Sequence, residues 1–198
     1  MKLRCLRRAI ALVPFALAGA VVPTSHASVI LDFNDLPDST VGLVMPATYG
    51  GLRWGFGGTS WHSMSLASLP GENFLALSGT STFFGSPLGG DDFYFEGADF
   101  WSRRGLDGNG DFAFVLYHDG VTVYNGMTDP DGRQRFSNTH ALFVPSYTGP
   151  VDGVAIAFDN DDWDHLTMDN VRITFIPAPG ICGLISLVGL MRATRRRR

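Results

Sequence analysis

Residues 111–125 read DFAFVLYHDGVTVYN. Phe112, Phe114 and Leu116 recur at every second position, the period that places side chains on one face of a β-strand. Asp119-Gly120 then separates two strand-like runs with a residue pair that tolerates the positive φ angles of a two-residue hairpin turn. The stretch predicts two antiparallel strands joined tightly, and the pattern repeats along the chain. Further strand-like runs fall at 29–33, 52–56, 73–77, 92–101, 141–144, 154–158 and 171–175. In the last, Val171, Ile173 and Phe175 share one face and Arg172 and Thr174 the other. Glycine and proline are scattered through the middle, and no three-turn amphipathic helical pattern appears there. The expectation is an all-β fold, an antiparallel β-sandwich of two sheets, jelly-roll-like. Residues 79–90, rich in Gly, Ser and Thr, read as a loop.

The 198 residues fit one domain of ordinary size. The formal charge of −4 conceals a strong asymmetry. Residues 28–176 hold all 19 acidic residues against six arginines and no lysine, a formal −13. So acidic a domain repels phosphate backbones, which argues against a nucleic-acid partner. Cys5 and Cys182 both lie in terminal segments, so the domain is expected to hold neither a disulfide nor a thiolate metal site.

The two ends read as addresses. Residues 1–27 open with Lys2, Arg4, Arg7 and Arg8, continue in an apolar run, and close on Ser25-His26-Ala27. That order is expected of a secretory signal peptide cleaved after Ala27. At the other end, Pro177, Ala178, Pro179 and Gly180 precede 11 uncharged residues, 181–191. Arg192, Arg195, Arg196, Arg197 and Arg198 follow. The uncharged run from Phe175 to Met191 would span about 25 Å as a helix, short of a ~30 Å hydrocarbon core. Tilt-free spanning would need bilayer thinning or snorkelling arginines, with the basic cluster on the cytoplasmic side.

This tail resembles the PEP-CTERM sorting signal of bacterial surface proteins, a proline motif followed by a short hydrophobic helix and an arginine cluster. Here Ala178 stands where that family usually has glutamate. The resemblance implies recognition by a membrane exosortase, removal of the tail, and delivery to the cell surface or the exopolysaccharide matrix. The middle, 28–176, resembles the β-sandwich domains that often precede such signals, through residues 30–37, 49–54 and 166–171. Those domains resemble carbohydrate-binding jelly rolls. The expected organisation is therefore a signal peptide (1–27), a β-sandwich (28–176) and a sorting signal (177–198) that touches the membrane before processing.

Three constellations in the middle bear on chemistry. Asp159-Asn-Asp161-Asp162-Trp-Asp164 is the densest, with Asp169 shortly after. Calcium takes six to eight hard oxygen ligands, which such a loop can supply. If the first strand lies beside the last, Asp32 and Asp35 would join them. The candidate calcium ligands are thus Asp32, Asp35, Asp159, Asp161, Asp162, Asp164 and Asp169; solvated turns explain the same residues. Asp107-Gly-Asn-Gly-Asp111 has the opening spacing of an EF-hand loop but places Phe112 where that loop needs glycine. It reads as a turn before a strand. Finally, Trp61 and Trp163 fall in loop-like segments and are candidate platforms for stacking on sugar rings, whereas core packing accounts for aromatics in a sandwich equally well.

Catalytic signatures are absent from the sequence. It contains neither a G-x-S-x-G elbow nor an H-E-x-x-H zinc motif. The expected function is that of an exported, non-enzymatic surface or matrix protein, a candidate binder of polysaccharide, with no cofactor beyond candidate calcium. The alternatives are a secreted glycan-acting hydrolase, favoured by paired carboxylates facing a cleft, and a purely structural matrix component.

Overall fold

The structure, a computed structural model, describes residues 27–55, 61–66, 69–77, 82–86, 90–104 and 108–176. The expected signal peptide (apart from Ala27) and the expected sorting tail lie outside the described residues. Among the described residues, no helix is long and apolar enough to cross a membrane.

Among the described residues, fourteen strands form two seven-stranded antiparallel sheets. The first sheet contains β1 (Ala27–Leu31), β2 (Leu43–Val44), β5 (Trp61–Leu66), β6 (Leu69–Leu77), β8 (Phe93–Ser102), β12 (Ala141–Phe143) and β14 (Leu166–Phe175). The second contains β3 (Thr48–Tyr49), β4 (Leu52–Trp54), β7 (Phe84–Gly85), β9 (Gly110–His118), β10 (Val121–Asn125), β11 (Arg133–Phe136) and β13 (Gly153–Ala157). A 3₁₀ turn, Asp161–His165, leads into β14. All nine predicted strand runs are strands. Five short strands went unpredicted: β2, β3, β5, β7 and β11. Two of these correct the reading directly, because Phe84–Gly85 lies inside the expected 79–90 loop and Trp61 begins a strand.

One long strand organises each sheet. β14 pairs with β8 along its length, while β6 and β1 share its other edge. β9 pairs with β13 on one side, while β10 and β11 share the other. The Asp119-Gly120 turn has φ of 52° and 73°, the doubly positive pair that matches the twist of a hairpin.

The sheets bury their inner faces against each other, and that interface is built of rings. Phe100 of β8 lies 4.7 Å from Phe112 and 5.8 Å from Phe114 of β9. Phe95 bridges Phe114 and Phe84, and Trp54 stacks on Phe84 at 4.9 Å. Phe33 meets Trp54 edge-on at 5.6 Å. Aromatic contact thus runs from the β1 end of the core to β9. Each fully buried large side chain contributes roughly 1.5–3 kcal/mol, which is how a domain without disulfides holds together. Phe33 carries a φ of 57° while wholly buried. A bulky side chain in that region is strained, and its ring contacts with Tyr49 and Trp54 hold it there. The turn it makes carries the chain from β1 past Asp32 to Asp35.

Candidate functional site

The outward-facing side of the first sheet holds the candidate site. Residues directly opposite each other in a ladder share a face. His62 pairs with Ala76, Ala76 with Thr167, and Thr167 with Trp101; one step away, Met64 pairs with Phe74. Phe74, Ala76 and Trp101, with Met64 against them, form a buried cluster separate from the main core. An apolar, aromatic strip therefore runs across the outside of β5, β6, β14 and β8.

Two hollows open along this strip. The larger, about 440 Å³, is lined by His62, Met64, Ala76, Arg103, Trp163 and Asp164, with the 41–42 turn at its rim. The 3₁₀ turn delivers Trp163 and Asp164 there. Its N-cap is Asn160, whose side chain accepts from the Asp162 amide. Trp163 is half-buried, one side against the main core. Arg103, just past the end of β8, lines the hollow. It donates to the backbone oxygen of Asp164 and, at 3.5 Å, to Met64 Sδ, while its own amide donates to His165 O at 3.0 Å. Asp164 is engaged on both oxygens, by Arg104 on Oδ2 and by His165 Nδ1 at 2.8 Å on Oδ1.

The second hollow, about 210 Å³, is lined by Glu72, Asn73, Phe74, Trp101, His140 and Asp169, with Leu66 at its edge. His140 stacks on Trp101 with centroids 3.6 Å apart, and burial lowers its pKa. Burial pushes the Asp169 carboxyl up to about 7; the charges of Asp32, Asp99 and Glu72 add to the rise, and a bond from the Asn170 amide opposes it. In the folded state Asp169 thus holds its proton to higher pH than in the unfolded chain. Its stabilising contribution is full below the unfolded carboxylate range, near 4, and is lost as pH climbs through about 7. Asp169→Asn keeps an acceptor for the Asn170 amide and removes the charge. We expect it to raise the melting temperature at pH 8 and to change it little at pH 4.5. After allowance for solvent screening of a half-buried group, the gain at pH 8 is about 1–2 kcal/mol. Parallel melting curves of wild type and variant across this range check it, and an equal shift at both pH values would refute it.

The structure sorts the sequence-predicted site residues. Trp61 is 1% exposed and faces the main core, so it presents no platform. The physical reason is alternation: with 61–66 a strand, Trp61, Ser63 and Ser65 point inward and His62 and Met64 outward. Trp163 does line a hollow. Several of the seven aspartates have partners of their own. Asp159 pairs with Arg133 at 2.8 Å, and Asp161 is exposed. Asp162 accepts from the amides of Asp111 and, through its side chain, Asn160. Asp164 binds Arg104 and His165, and Asp35 accepts from the Tyr49 hydroxyl. Burial and that bond raise the pKa of Tyr49. Asp32 and Asp169 do approach each other, as the pairing of Leu31 with Val171 dictates, and the charge of Asp32 acts on Asp169. Among the described residues, no group of three His, Cys, Asp or Glu side chains is placed to hold a metal ion. Gly110 and Asp111 already belong to β9, so the strand starts two residues earlier than the turn reading of 107–111 placed it; Asp107 lies outside the described residues.

Sequence reasoning missed Arg103, Met64 and the Trp101–His140 stack. Reading 61–66 as a strand would have turned His62 and Met64 outward together. No local signal joins Arg103 to Trp163, which lie 60 positions apart. No family model matches the chain, nor does any curated protein or solved structure.

Proposed function

We propose that this chain is an exported, non-enzymatic surface or matrix protein whose β-sandwich binds glycan in the hollow beside Trp163. One observation carries the reading: a half-buried indole and an exposed guanidinium line the same 440 Å³ hollow on the outer face of a sheet. An indole face supplies apolar stacking surface, and a guanidinium supplies several hydrogen-bond donors. A sugar ring has an apolar face and a hydroxylated rim, and it answers to both. Three expectations from sequence travel with the proposal. The sandwich is jelly-roll-like, residues 1–27 direct export, and the tail from Pro177 is a PEP-CTERM-like signal processed by an exosortase at the membrane. Calcium is not required by it. Among the described residues the charge of Asp32 reaches Asp169, but no group of three carboxylate or imidazole side chains is placed to hold an ion.

Tryptophan emission tests the reading. Titrating matrix polysaccharide into the full-length protein is expected to shift emission, because Trp163 borders the hollow while Trp54 and Trp61 are sealed in the core. Trp163→Ala is expected to weaken binding about tenfold, the equivalent of ~1.4 kcal/mol. No binding by wild type would leave the purely structural matrix role standing.

A second reading, a glycan-acting hydrolase, draws on one feature of the smaller hollow. Asp169 titrates near neutral pH beside Glu72 and the Trp101–His140 stack. A general acid needs such a pKa, with a second carboxylate across the bond it cleaves. Release of reducing ends by wild type and not by Asp169→Asn would establish it. Bound polymer recovered uncut would dismiss it.

A further inference from the structure

We infer that the hollow beside Trp163 selects a sugar bearing a carboxylate, with Arg103 as the partner of that carboxylate. The inference rests on the glycan-binding reading and names the class of glycan.

The domain carries a formal −13, and carboxylates are its most abundant charged groups. Its arginines mostly neutralise them. Arg104 pairs with Asp164, Arg133 with Asp159, Arg135 with Asp111, and Arg172 with Asp99. Arg103 differs. Among the described residues it makes no ion pair, and its side chain donates to a backbone oxygen and a thioether sulfur, both neutral. A guanidinium has five donors in a planar fork that matches a carboxylate, and two neutral acceptors do not exhaust it. Among the described residues this exposed cation stays without a carboxylate partner in a domain where carboxylates outnumber arginines.

The neighbouring charge does not cancel it. Asp164 also lines the hollow, but each of its oxygens already has a partner, Arg104 on one and His165 on the other. An incoming carboxylate therefore meets Arg103 as the uncompensated charge. The two contacts keep the guanidinium in place, one to the 3₁₀ turn that carries Trp163 and one to Met64 of β5. Ring stacking on Trp163 and charge pairing with Arg103 then act on a single residue of the ligand. The acidic surface sets one condition. At low ionic strength it repels a polyanion as a whole. At about 0.15 M salt the screening length falls to ~8 Å, which silences remote carboxylates and leaves a direct contact.

The test compares a polyuronate with the same polymer after its carboxylates are reduced to alcohols, by calorimetry on the full-length protein at 0.15 M salt. Wild type is expected to prefer the polyuronate at least tenfold. Arg103→Gln is expected to collapse that preference toward one, and Arg103→Lys, which keeps the charge, to retain part of it. Melting curves establish that both variants are folded; the Lys variant carries the test if the Gln variant is not. Equal wild-type affinity for the two polymers, weakened by Trp163→Ala, would overturn the charge selection and uphold glycan binding. Binding of neither polymer, or binding indifferent to Trp163→Ala, would overturn both. A sulfated neutral polymer bound as tightly as the polyuronate, and lost with Arg103→Gln, would overturn selection for carboxylate over other anions.

Discussion

Phe114→Ala is expected to cost the fold about 3–5 kcal/mol. Phe114 has no exposed surface and sits on β9, the strand that pairs with three others in its sheet. Its ring lies 5.2 Å from Phe112 on its own strand, and 5.3 and 5.8 Å from Phe95 and Phe100 on the opposite sheet. Truncation removes the transfer energy of a benzyl group and leaves a void walled by rings. Those rings are themselves held from other sides, Phe95 by Phe84 and Phe100 by Phe143, so the walls cannot close. Against a total stability of ~5–15 kcal/mol, such a loss leaves many molecules unfolded at working temperature. Urea unfolding of the full-length variant measures it. A cost below about 2 kcal/mol would mean that the rings repack and that the aromatic interface is softer than its geometry implies.

The second large effect arises from backbone rather than from packing. Gly97 in β8 has a φ of 106°, where L side chains are strained. A Cβ built there would lie 2.3 Å from the carbonyl oxygen of Phe143, and 3.1 and 3.2 Å from side-chain carbons of Val144 and Leu142. The position falls where the β8–β14 register slips, opposite Arg172 and close to Asn170, itself at φ 49°. Gly97→Ala therefore forces either the dihedral to relax, which breaks the slipped register, or the edge strand β12 to move away. We expect a loss of about 3 kcal/mol or more, the sum of local strain and overlap. Amide exchange should locate the damage. Protection is expected to fall first in Ala141–Phe143, before it falls in β13 of the other sheet. Uniform loss across both sheets would instead mean that β8 and β12 fail as one unit with the core.

These predictions indicate which parts of the fold were legible. The Phe112-x-Phe114-x-Leu116 period and the Asp119-Gly120 turn state β9 and β10 outright, because strand pleat and turn sterics act between neighbours. The two- and four-residue strands are different. Leu43–Val44 and Thr48–Tyr49 are too short to display a period, and they are strands only because a longer partner pairs with them. Trp61–Leu66 alternates indole and hydroxyl against imidazole and thioether, so its inward face is half polar and hydropathy hides the period. The candidate site was legible in one residue, Trp163. Its companions Met64 and His62 arrive from β5 and Arg103 from the bend after β8, and only sheet register brings them together. The aspartate run misled for a related reason. Its carboxylates are matched to Arg104, Arg133 and the Asp111 amide, partners that stand far away in the chain.

The placement of the 3₁₀ turn has a mechanical consequence. Trp163 and Asp164 immediately precede β14, and the chain leaves that strand at Phe175 toward its C-terminus. A molecule held by its C-terminal end and loaded through the hollow would carry tension along β14 from tip to tip. That strand is bonded to β8 on one side and to β6 and β1 on the other. Pull along its axis strains those ladders together, in shear, so that failure requires many hydrogen bonds to break at once. Force applied instead between Ala27 and Phe175, which are paired at the same end of their strands, opens the ladder one rung at a time. The sandwich is thus strong along the line from the hollow to the C-terminal end of β14 and weak between Ala27 and Phe175. In single-molecule pulling, the first geometry should rupture at the higher force.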